Sequence, residues 1–392
     1  MIIHYAMFID SCVAFLSSDL LSYLRQYMRI LNLIIIFSVF ALISGLFNFL
    51  FLRWTRTLGT KNQGPAEQER WSASYNPAIG GISFYIIFLV SYVVYLFIHN
   101  PEFHTNEEIS HLGILIVVTL GFFTGLADDA FNTLPWLKFS AQVACGVLLL
   151  LFDVQIEFFE LYWADALLTI FWTVAVMNSI NMLDNMDGIT TVVSIFILLA
   201  AAISENPLAD YNFFYTFICG GTVAALVGFL FFNWNPSRIF MGDTGSQMIG
   251  ALLAAIGVLF FWNNEYVITD HTWHSKLAVV AAAFVIPIGD SLTVTINRMS
   301  RGQSPFVGGR DHTTHHLSSA GLNDKQVGYV MIGISVLSVT LIGFLRFVEP
   351  EYQWMYQSFL LVYAVLVIGF LYSTTRWKRS KKAFESTLNK AS

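Results

Sequence analysis

Apolar stretches long enough to cross a lipid bilayer recur along this chain of 392 residues. There are eleven of them, at about 29–52, 79–99, 111–127, 137–153, 164–180, 189–204, 213–233, 245–262, 277–297, 327–347 and 356–374. Backbone amides find no water inside a bilayer, so segments of this kind cross it as helices. Only 12% of the residues are charged, against roughly 25% in soluble domains. The sequence therefore predicts an all-α integral membrane protein with about 11 transmembrane helices.

The distribution of Lys and Arg predicts the orientation of the chain, because basic loops stay in the cytoplasm. Sixteen of the 20 basic residues fall in one set of alternating loops and in the C-terminal tail. The opposite loops, such as 101–108 and 205–210, are acidic. We expect the N-terminus outside and the C-terminus in the cytoplasm, as an odd number of spans requires.

The chain divides into three predicted segments: an N-terminal extension over 1–28, a polytopic membrane domain over 29–375 and a basic cytoplasmic tail over 376–392. The extension is apolar but is interrupted by acidic residues such as Asp10 and Asp19. It lacks the basic start and the small-residue cleavage site of a signal peptide. An interfacial helix and a wrongly assigned start codon are both compatible with this pattern.

Four polar clusters interrupt the apolar pattern, and the predicted topology places all of them on the cytoplasmic side. They are Asp128 and Asp129 with Lys138, the segment 178–188, the segment 232–246 and the segment 298–317. Carboxylates at a bilayer boundary are costly to desolvate, which makes them candidates for function. Polar loops without a function would be scattered over both faces, so the co-location indicates one shared site.

The second cluster has a regular spacing. Asn178, Asn181 and Asp184 are three residues apart, and Asp187 follows after three more. On a helix this spacing forms one slowly drifting stripe. Four oxygen-bearing side chains suit Mg²⁺ or the polar edge of a sugar or base. A helix end capped by Asn and Asp, with Gly188 at the turn, is an equally open alternative.

The third cluster places Asp243 between Gly242 and Gly245, where the backbone can approach a phosphate or a metal ion closely. Phe240, just before this segment, is a candidate for stacking on a nucleobase. A loop whose aspartate caps the following helix is the structural alternative.

The fourth cluster is basic, and we expect it to form a loop. Its cations would neutralise a pyrophosphate or an anionic lipid head group; they are Arg298, Arg301, Arg310, His312, His315 and His316. A positive cytoplasmic loop without a site, and a zinc site that uses His312 and His316, are the alternatives. Phosphoryl transfer needs a metal that bridges phosphate oxygens, cations on the leaving group and a carboxylate near the nucleophile. The four clusters together supply these groups.

At these residues the sequence resembles the polyprenyl-phosphate N-acetylhexosamine-1-phosphate transferases of glycosyltransferase family 4. The matching stretches follow in order over roughly 76–317. They are Asn76-Pro-Ala-Ile-Gly-Gly81, Asp128-Asp-Ala-Phe-Asn-Thr-Leu-Pro135 with Lys138, Asn178 to Gly188, Phe240-Met-Gly-Asp-Thr-Gly-Ser246, Pro287-Ile-Gly-Asp290, and Ser304-Pro-Phe followed by Asp311-His-Thr-Thr-His-His316. Several motifs in register are specific, although no single one of them is.

The resemblance implies that a lipid phosphate, undecaprenyl phosphate in bacteria, attacks the β-phosphate of a UDP-sugar and releases UMP. It implies Mg²⁺ as the cofactor, with Mn²⁺ as a substitute. It also implies the cytoplasmic (inner) membrane of a bacterium, an active site on the cytoplasmic face, and the first membrane step of cell-envelope glycan synthesis. The expected partners are the UDP-sugar, undecaprenyl phosphate, membrane lipids and a second copy of the chain in a homodimer, and no nucleic acid.

The resemblance assigns the catalytic residues by position. Asp243 looks like the Mg²⁺ ligand, with Asn181 as a second ligand. Asp128 resembles the carboxylate that deprotonates the lipid phosphate, and Asp129 supports it. Covalent attack by an aspartate is the alternative for this pair. His312 is the fourth predicted catalytic residue.

The remaining assignments concern binding. Asp187 and Phe240 match positions that contact uracil, and Asp184 is a motif carboxylate on the same side. The predicted contacts to phosphate or sugar are Lys138, Arg310, His315 and His316.

Two departures bear on the substrate. Asn185 stands where the family often has Gly, which would alter the wall of the nucleotide pocket. The histidine segment is one residue longer than His-x-His-His and differs from the three consecutive histidines of the pentapeptide translocase, which favours a GlcNAc-type sugar. Another UDP-N-acetylhexosamine and UDP-MurNAc-pentapeptide are the alternative donors. A transporter or flippase predicts an inverted repeat and charges near mid-membrane, and Asp290 is the one candidate for such a charge.

Overall fold

The computed structural model describes residues 28, 30–54, 77–99, 106–204, 213–263, 272–304 and 311–377. In these ranges the chain folds into helices, and one isolated parallel bridge pairs Ala78 with Phe240. The helices are α1 (Ile30–Trp54), α2 (Gly80–His99), α3 (Asn106–Phe131), α4 (Pro135–Leu151), α5 (Tyr162–Leu183), α6 (Ile189–Ser204), α7 (Phe213–Asn233), α8 (Gly242–Gly257), α9 (Trp273–Ala283), α10 (Val285–Ser300), α11 (Thr313–Ser319), α12 (Asp324–Phe344) and α13 (Gln353–Thr374).

All eleven predicted apolar ranges coincide with helices, which confirms the all-α prediction for the described part of the chain. Eight described helices are long and apolar enough to cross a membrane, and α9 with α10 would make a ninth. The apolar helices α4 and α6 are shorter, with 17 and 16 residues. The span count of eleven and the side on which each terminus lies stay predictions. Most of the N-terminal extension and of the basic tail lie outside the described residues.

The predicted span 277–297 is wrong as a single helix, because α9 and α10 meet at a bend of 86°. Pro287 lies in the first turn of α10. A proline inside a continuous helix would clash with the carbonyl four residues earlier, which belongs to Ala283, the last residue of α9. In the first turn of a new helix the missing N–H costs nothing, so the chain bends before Val285.

Helix α8 forms the centre of the bundle. With the turn that extends it to Trp262 it is 94% buried, more than any other described span. Helices α3 and α5 pack against it, and small residues let the backbones approach. A Cβ atom on Gly125 of α3 would lie 2.1 Å from the backbone oxygen of Asp243, so only glycine fits there. This contact brings the end of α3 beside the start of α8.

Candidate active site

Four helices bring four polar side chains together at one end of the bundle. Lys138, in the first turn of α4, places its Nζ 3.0 Å from Asp128 Oδ2 at the end of α3. The same Nζ lies 3.2 Å from Asp243 Oδ2, at the start of α8, and 3.3 Å from Asn181 Oδ1, at the end of α5. The site therefore contains two carboxylates that share one lysine.

The turn between α3 and α4 orients Asp128. Its Oδ1 accepts hydrogen bonds from the Thr133 backbone N–H at 2.9 Å and from the Thr133 hydroxyl at 2.5 Å. The turn is short because Asn132 adopts a left-handed conformation with φ of 50° and α4 begins at Pro135. The second carboxylate oxygen is thereby directed at Lys138.

Asp129 has a different role from Asp128. Its Oδ1 accepts from the Asp243 backbone N–H at 3.0 Å, and its Oδ2 accepts from the N–H and hydroxyl of Thr244 at 2.8 and 2.7 Å. Asp129 therefore caps the first turn of α8, where a negative charge also interacts favourably with the helix dipole. Gly242 has a φ of +74°, and a Cβ atom there would lie 2.7 Å from Asp129 Oδ2. Glycine is required at this position for the cap to form.

Asn181 acts as a donor toward Asp243. Its Nδ2 lies 2.6 Å from Asp243 Oδ1 and 2.8 Å from Ser246 Oγ, while its Oδ1 faces Lys138. An amide nitrogen cannot ligate a metal ion, so a role for Asn181 as a ligand would need the oxygen to face the metal. In this arrangement Asn181 holds the Asp243 carboxylate in place.

A second layer of amides lies behind these residues, and sequence reasoning missed two of its members, Gln142 and Gln247. Gln142 Nε2 donates to Gln247 Oε1 at 3.1 Å, and Asn178 Nδ2 donates to Gln142 Oε1 at 2.7 Å. Gln142 and Gln247 are buried and follow Lys138 and Asp243 by one helical turn each. This spacing of polar residues in apolar helices is the sequence pattern that could have revealed the two glutamines.

Of the predicted uracil contacts, Phe240 lies in the loop that precedes α8, and Asp187, between α5 and α6, binds that loop. Asp187 accepts hydrogen bonds from the Ser237 N–H at 3.0 Å, the Ser237 hydroxyl at 2.8 Å and Asn235 Nδ2 at 3.1 Å. Asp187 therefore anchors this loop. Asp184 occupies the C-terminal cap of α5, and its backbone N–H bonds to the Asn181 carbonyl at 3.3 Å.

The backbone of Phe240 pairs with the segment that enters α2. Its N–H donates to the Pro77 carbonyl at 3.0 Å, and its carbonyl accepts from the Gly80 N–H at 3.1 Å. The side chain is half-buried. The loop that carries Phe240 is thus fixed both by Asp187 and by this bridge.

Described parts of the fourth cluster are helical where the sequence predicts a loop. His312 lies at the N-terminal cap of α11, and His315 and His316 lie on that helix. The cause is a distant residue, because Asp290 on α10 binds the N–H and hydroxyl of Thr313 at 2.8 and 2.7 Å. A cap supplied from another helix is invisible to local sequence patterns. Arg310 lies outside the described residues.

Two arginines of the fourth cluster bind a carboxylate of the protein. Arg298 forms a bidentate pair with Asp311 at 3.0 and 2.7 Å, and Arg301 contacts Asp311 Oδ2 at 2.8 Å. Burial acts to raise the pKa of Asp311, but its hydrogen bond to Arg298 and the charges of Arg298, His312 and Arg301 outweigh it and hold that pKa below its usual range. Arg298 therefore stabilises the fold here.

Hydrogen bonds connect the fourth cluster, and the helix α10 that precedes it, to the second cluster. Thr314 Oγ1 donates to Asn185 Oδ1 at 2.6 Å, and Ser291 Oγ donates to Ser179 Oγ at 2.8 Å. The histidine helix is thus attached to α5 and to the turn that follows it. Asn185, the departure from the family pattern, makes one of the two contacts.

The donor set determines which metal the site could hold. Within the described ranges no three His, Cys, Asp or Glu side chains are grouped as ligands, so the zinc alternative gains no support. Asp128 and Asp243 offer adjacent carboxylate oxygens. Mg²⁺ is typically held by one or two carboxylates together with water and substrate phosphates. The two aspartates fit that mode of binding.

Comparison with known proteins matches the segment of the chain that carries these residues. The family model described as glycosyl transferase family 4 matches residues 111–261, which contain Asp128, Lys138, Asn181 and Asp243. Over this segment the chain is similar to glycosyl transferase family 4. The resemblance stated from the motifs is therefore confirmed.

The relatives of this chain carry two kinds of name. A probable undecaprenyl-phosphate N-acetylglucosaminyl 1-phosphate transferase of Bacillus subtilis is 25% identical over 278 residues, 69% of this chain and 71% of the relative. A phospho-N-acetylmuramoyl-pentapeptide-transferase of Bacillus cytotoxicus is 25% identical over 335 residues, 79% of this chain and 96% of the relative. The histidine helix α11 lies beyond the matched family 4 segment.

Proposed function

We propose that this protein transfers a sugar-1-phosphate from a UDP-sugar to a polyprenyl phosphate and releases UMP. GlcNAc-1-phosphate and undecaprenyl phosphate are the proposed group and acceptor, on the cytoplasmic face of a bacterial inner membrane. The observation that carries the proposal is the convergence of Asp128, Lys138, Asn181 and Asp243 from four helices within hydrogen-bonding distance. These residues also lie in the segment that matches family 4.

Electrostatics support a phosphate-and-metal site. With all three groups ionised, Asp128, Asp243 and Lys138 sum to one negative charge. A divalent cation reverses that sign, after which the anionic diphosphate of a UDP-sugar can bind. Asp243 would hold Mg²⁺, which when bound would neutralise phosphate charge and align the reacting groups. If one of the two carboxylates bound the metal instead of Lys138, the Lys138 ammonium group could pair with a phosphate oxygen.

The reaction exchanges one phosphoanhydride bond for another. An oxygen of the lipid phosphate bonds to the β-phosphorus, and the bond from that phosphorus to the oxygen of the α-phosphate breaks. That oxygen leaves with its electron pair on UMP. Asp128 is proposed to accept the proton of the lipid phosphate, and the Thr133 contacts to Oδ1 keep Oδ2, the oxygen that faces Lys138, directed into the site.

The nucleotide is proposed to bind beside the loop before α8. Asp187 accepts three hydrogen bonds from that loop, and a carboxylate can accept about four, which leaves room for a uracil N–H. Phe240 supplies an aromatic face on the same loop. The fixed backbone of this segment would keep the stacking surface in place.

The sugar is the finer part of the proposal. The Bacillus subtilis relative is named for N-acetylglucosamine, and the longer histidine segment departs from three consecutive histidines. The relatives named for the MurNAc-pentapeptide align over a larger share of both chains, which makes UDP-MurNAc-pentapeptide the second candidate donor.

A transporter remains the alternative of another class, and two buried carboxylates bear on it. Asp165 accepts from the backbone N–H groups of Phe158 and Phe159 at 3.0 and 2.8 Å, so it holds a loop at the far end of α5. Asp290 is paired with His312. Both carboxylates have structural partners, whereas a transport site would need them for cargo.

The test is UMP release by the purified protein in detergent, with undecaprenyl phosphate, Mg²⁺ and a panel that contains UDP-GlcNAc, UDP-GalNAc and UDP-MurNAc-pentapeptide. We expect release that requires both the lipid phosphate and Mg²⁺, fastest with UDP-GlcNAc. Chelation by EDTA should abolish it, and re-addition of Mg²⁺ should restore it. Folded protein that releases no UMP with any donor would refute the transferase, and preference for UDP-MurNAc-pentapeptide would refute only the sugar.

A further inference from the structure

The pair formed by Asp290 and His312 is a buried contact that the proposed chemistry does not explain. Asp290 lies on α10 and is 1% exposed, and His312 immediately precedes α11. His312 Nδ1 is 2.8 Å from Asp290 Oδ2. The other oxygen, Oδ1, accepts from the N–H and the hydroxyl of Thr313. One carboxylate thus caps α11 and fixes the histidine next to the cap.

These contacts decide which ring nitrogen carries a proton. A carboxylate can only accept, so the nitrogen that faces Asp290 is protonated. When the ring takes up a second proton, that proton lies on Nε2, where it can be donated to a phosphate oxygen. Carboxylate partners fix the tautomer and the ring orientation of histidines in the same way in metal sites and hydrolase triads. His312 Nε2 is therefore the nitrogen left for a ligand.

Hydrogen bonds connect the helices that carry Asp290 and His312 to α5, which carries part of the proposed site. Thr314 bonds to Asn185, which follows the end of α5, and Ser291 bonds to Ser179 on α5 itself. Asn181, the partner of the catalytic carboxylate, lies on the same helix between these two contacts. The position of His312 at the start of α11 is thus fixed relative to α5.

We propose that Asp290 is a positioning residue for the transfer reaction: it keeps Nδ1 of His312 protonated, so that the second proton of the imidazolium lies on Nε2 and is presented to the diphosphate of the substrates. This role rests on the proposed function, because it takes His312 as part of the sugar-1-phosphate transfer. Asp290 itself touches no substrate, since its two oxygens are occupied by His312 and Thr313.

The first test reads the tautomer directly. Protein labelled with ¹⁵N in its histidine side chains is measured by NMR in detergent, and the His312 signals are assigned by their loss in His312→Gln. We expect a protonated Nδ1 in the wild type. In Asp290→Asn we expect an unprotonated Nδ1, because the amide oxygen keeps Thr313 and the amide NH₂ faces the ring. An unprotonated Nδ1 in the wild type, or an unchanged Nδ1 in the variant, would overturn the proposal.

The second test is a double-mutant cycle on kcat. Asp290→Asn should lower kcat about 100-fold and change the KM for the UDP-sugar less than about 3-fold. In a His312→Gln background the same substitution should cost less than about 3-fold, because the group it positions is already gone. Thr313→Val is the matched control: it removes one hydroxyl contact to Asp290, spares the ring contact, and should stay within about 3-fold of wild type.

Additive losses in the cycle would make Asp290 a residue of the fold and would overturn the proposal. An Asp290→Asn protein that cannot be purified in a monodisperse, folded form would do the same. If the wild type releases no UMP from any donor, the proposed function fails, while the tautomer measurement still reports on Asp290 and His312. The two failures are therefore distinguishable.

Discussion

The carboxylates around Lys138 and those around α11 are built in opposite ways. Asp128 and Asp243 compete for one lysine, and their side chains are 12% and 25% exposed. Asp290 is sealed and accepts three hydrogen bonds, and Asp311 receives a bidentate arginine and a second arginine. The single positive charge of Lys138 does not neutralise both carboxylates of the first pair, whereas hydrogen-bond donors and positive charges satisfy both carboxylates of the second pair.

This difference distinguishes carboxylates that can take part in chemistry from carboxylates that hold helices in place. A partly exposed, under-neutralised pair can bind a cation and an anionic substrate without first breaking strong internal contacts. A buried carboxylate with complete partners is costly to disturb, because removing one partner leaves an uncompensated charge. Substitutions in the first pair should therefore affect turnover more than stability, and a substitution that removes a partner of Asp311 should do the reverse.

The largest effect expected is the loss of turnover in Asp243→Asn and Asp128→Asn. Each should lower kcat at least about 1,000-fold, because the metal and the lipid phosphate lose a carboxylate. The melting temperature in detergent should not fall, since neutralising one member of the pair relieves repulsion. Asp153→Asn, an exposed carboxylate beyond the far end of α4, is the control and should retain activity. Wild-type-like turnover in either aspartate variant would remove that residue from the site.

Asp129 should give an intermediate result, because it lies beside the site but serves as a cap. Asp129→Ala should lower stability by about 1 kcal/mol and kcat by roughly 100-fold, as the start of α8 that carries Asp243 loosens. Asp129→Asn keeps one acceptor and should lose less of both. Thermal unfolding and UMP release would be measured on the same samples. Equal losses of kcat in Asp129→Asn and Asp128→Asn, without any loss of stability, would make Asp129 directly catalytic.

Phe240→Ala should show a binding effect. Loss of a stacking surface should raise the KM for the UDP-sugar about 10-fold and lower kcat by less. Phe240→Tyr preserves the aromatic face and serves as the control. Initial rates over a range of donor concentrations separate the two parameters, and an unchanged KM would remove Phe240 from the nucleotide pocket.

The smallest effect is expected at Arg301, which is half-exposed where Arg298 is buried. Arg301→Gln should lower stability by less than about 1 kcal/mol, whereas Arg298→Gln should cost several-fold more. The pKa of Asp311 is held below its usual value, so its stabilisation is complete above about pH 4 and is lost as pH falls through the folded value. Arg301→Gln should move that loss to higher pH. Melting temperatures from pH 3 to 7 would test both statements, and a larger loss in Arg301→Gln than in Arg298→Gln would contradict them.

Sequence reasoning found the residues at the centre of the site because each leaves a local mark. Asp128, Lys138, Asn181 and Asp243 all interrupt apolar helices near their ends, where a polar residue is conspicuous. It missed Gln142 and Gln247 because uncharged amides one turn deeper change the hydropathy of a window very little. It mistook α11 for a loop because the cap of that helix comes from α10.

The sequence by itself determined the helical membrane class, the positions of the helices and the four polar clusters, since hydropathy and its interruptions are local properties of the chain. Tertiary structure alone decided that Asp128 shares Lys138 with Asp243 while Asp129 caps α8, although the two aspartates are adjacent in sequence. It also decided that α9 and α10 meet at 86° and that Asp290 meets His312. These outcomes depend on which helix packs beside which, and no local pattern encodes a partner that lies 22 or 114 residues away.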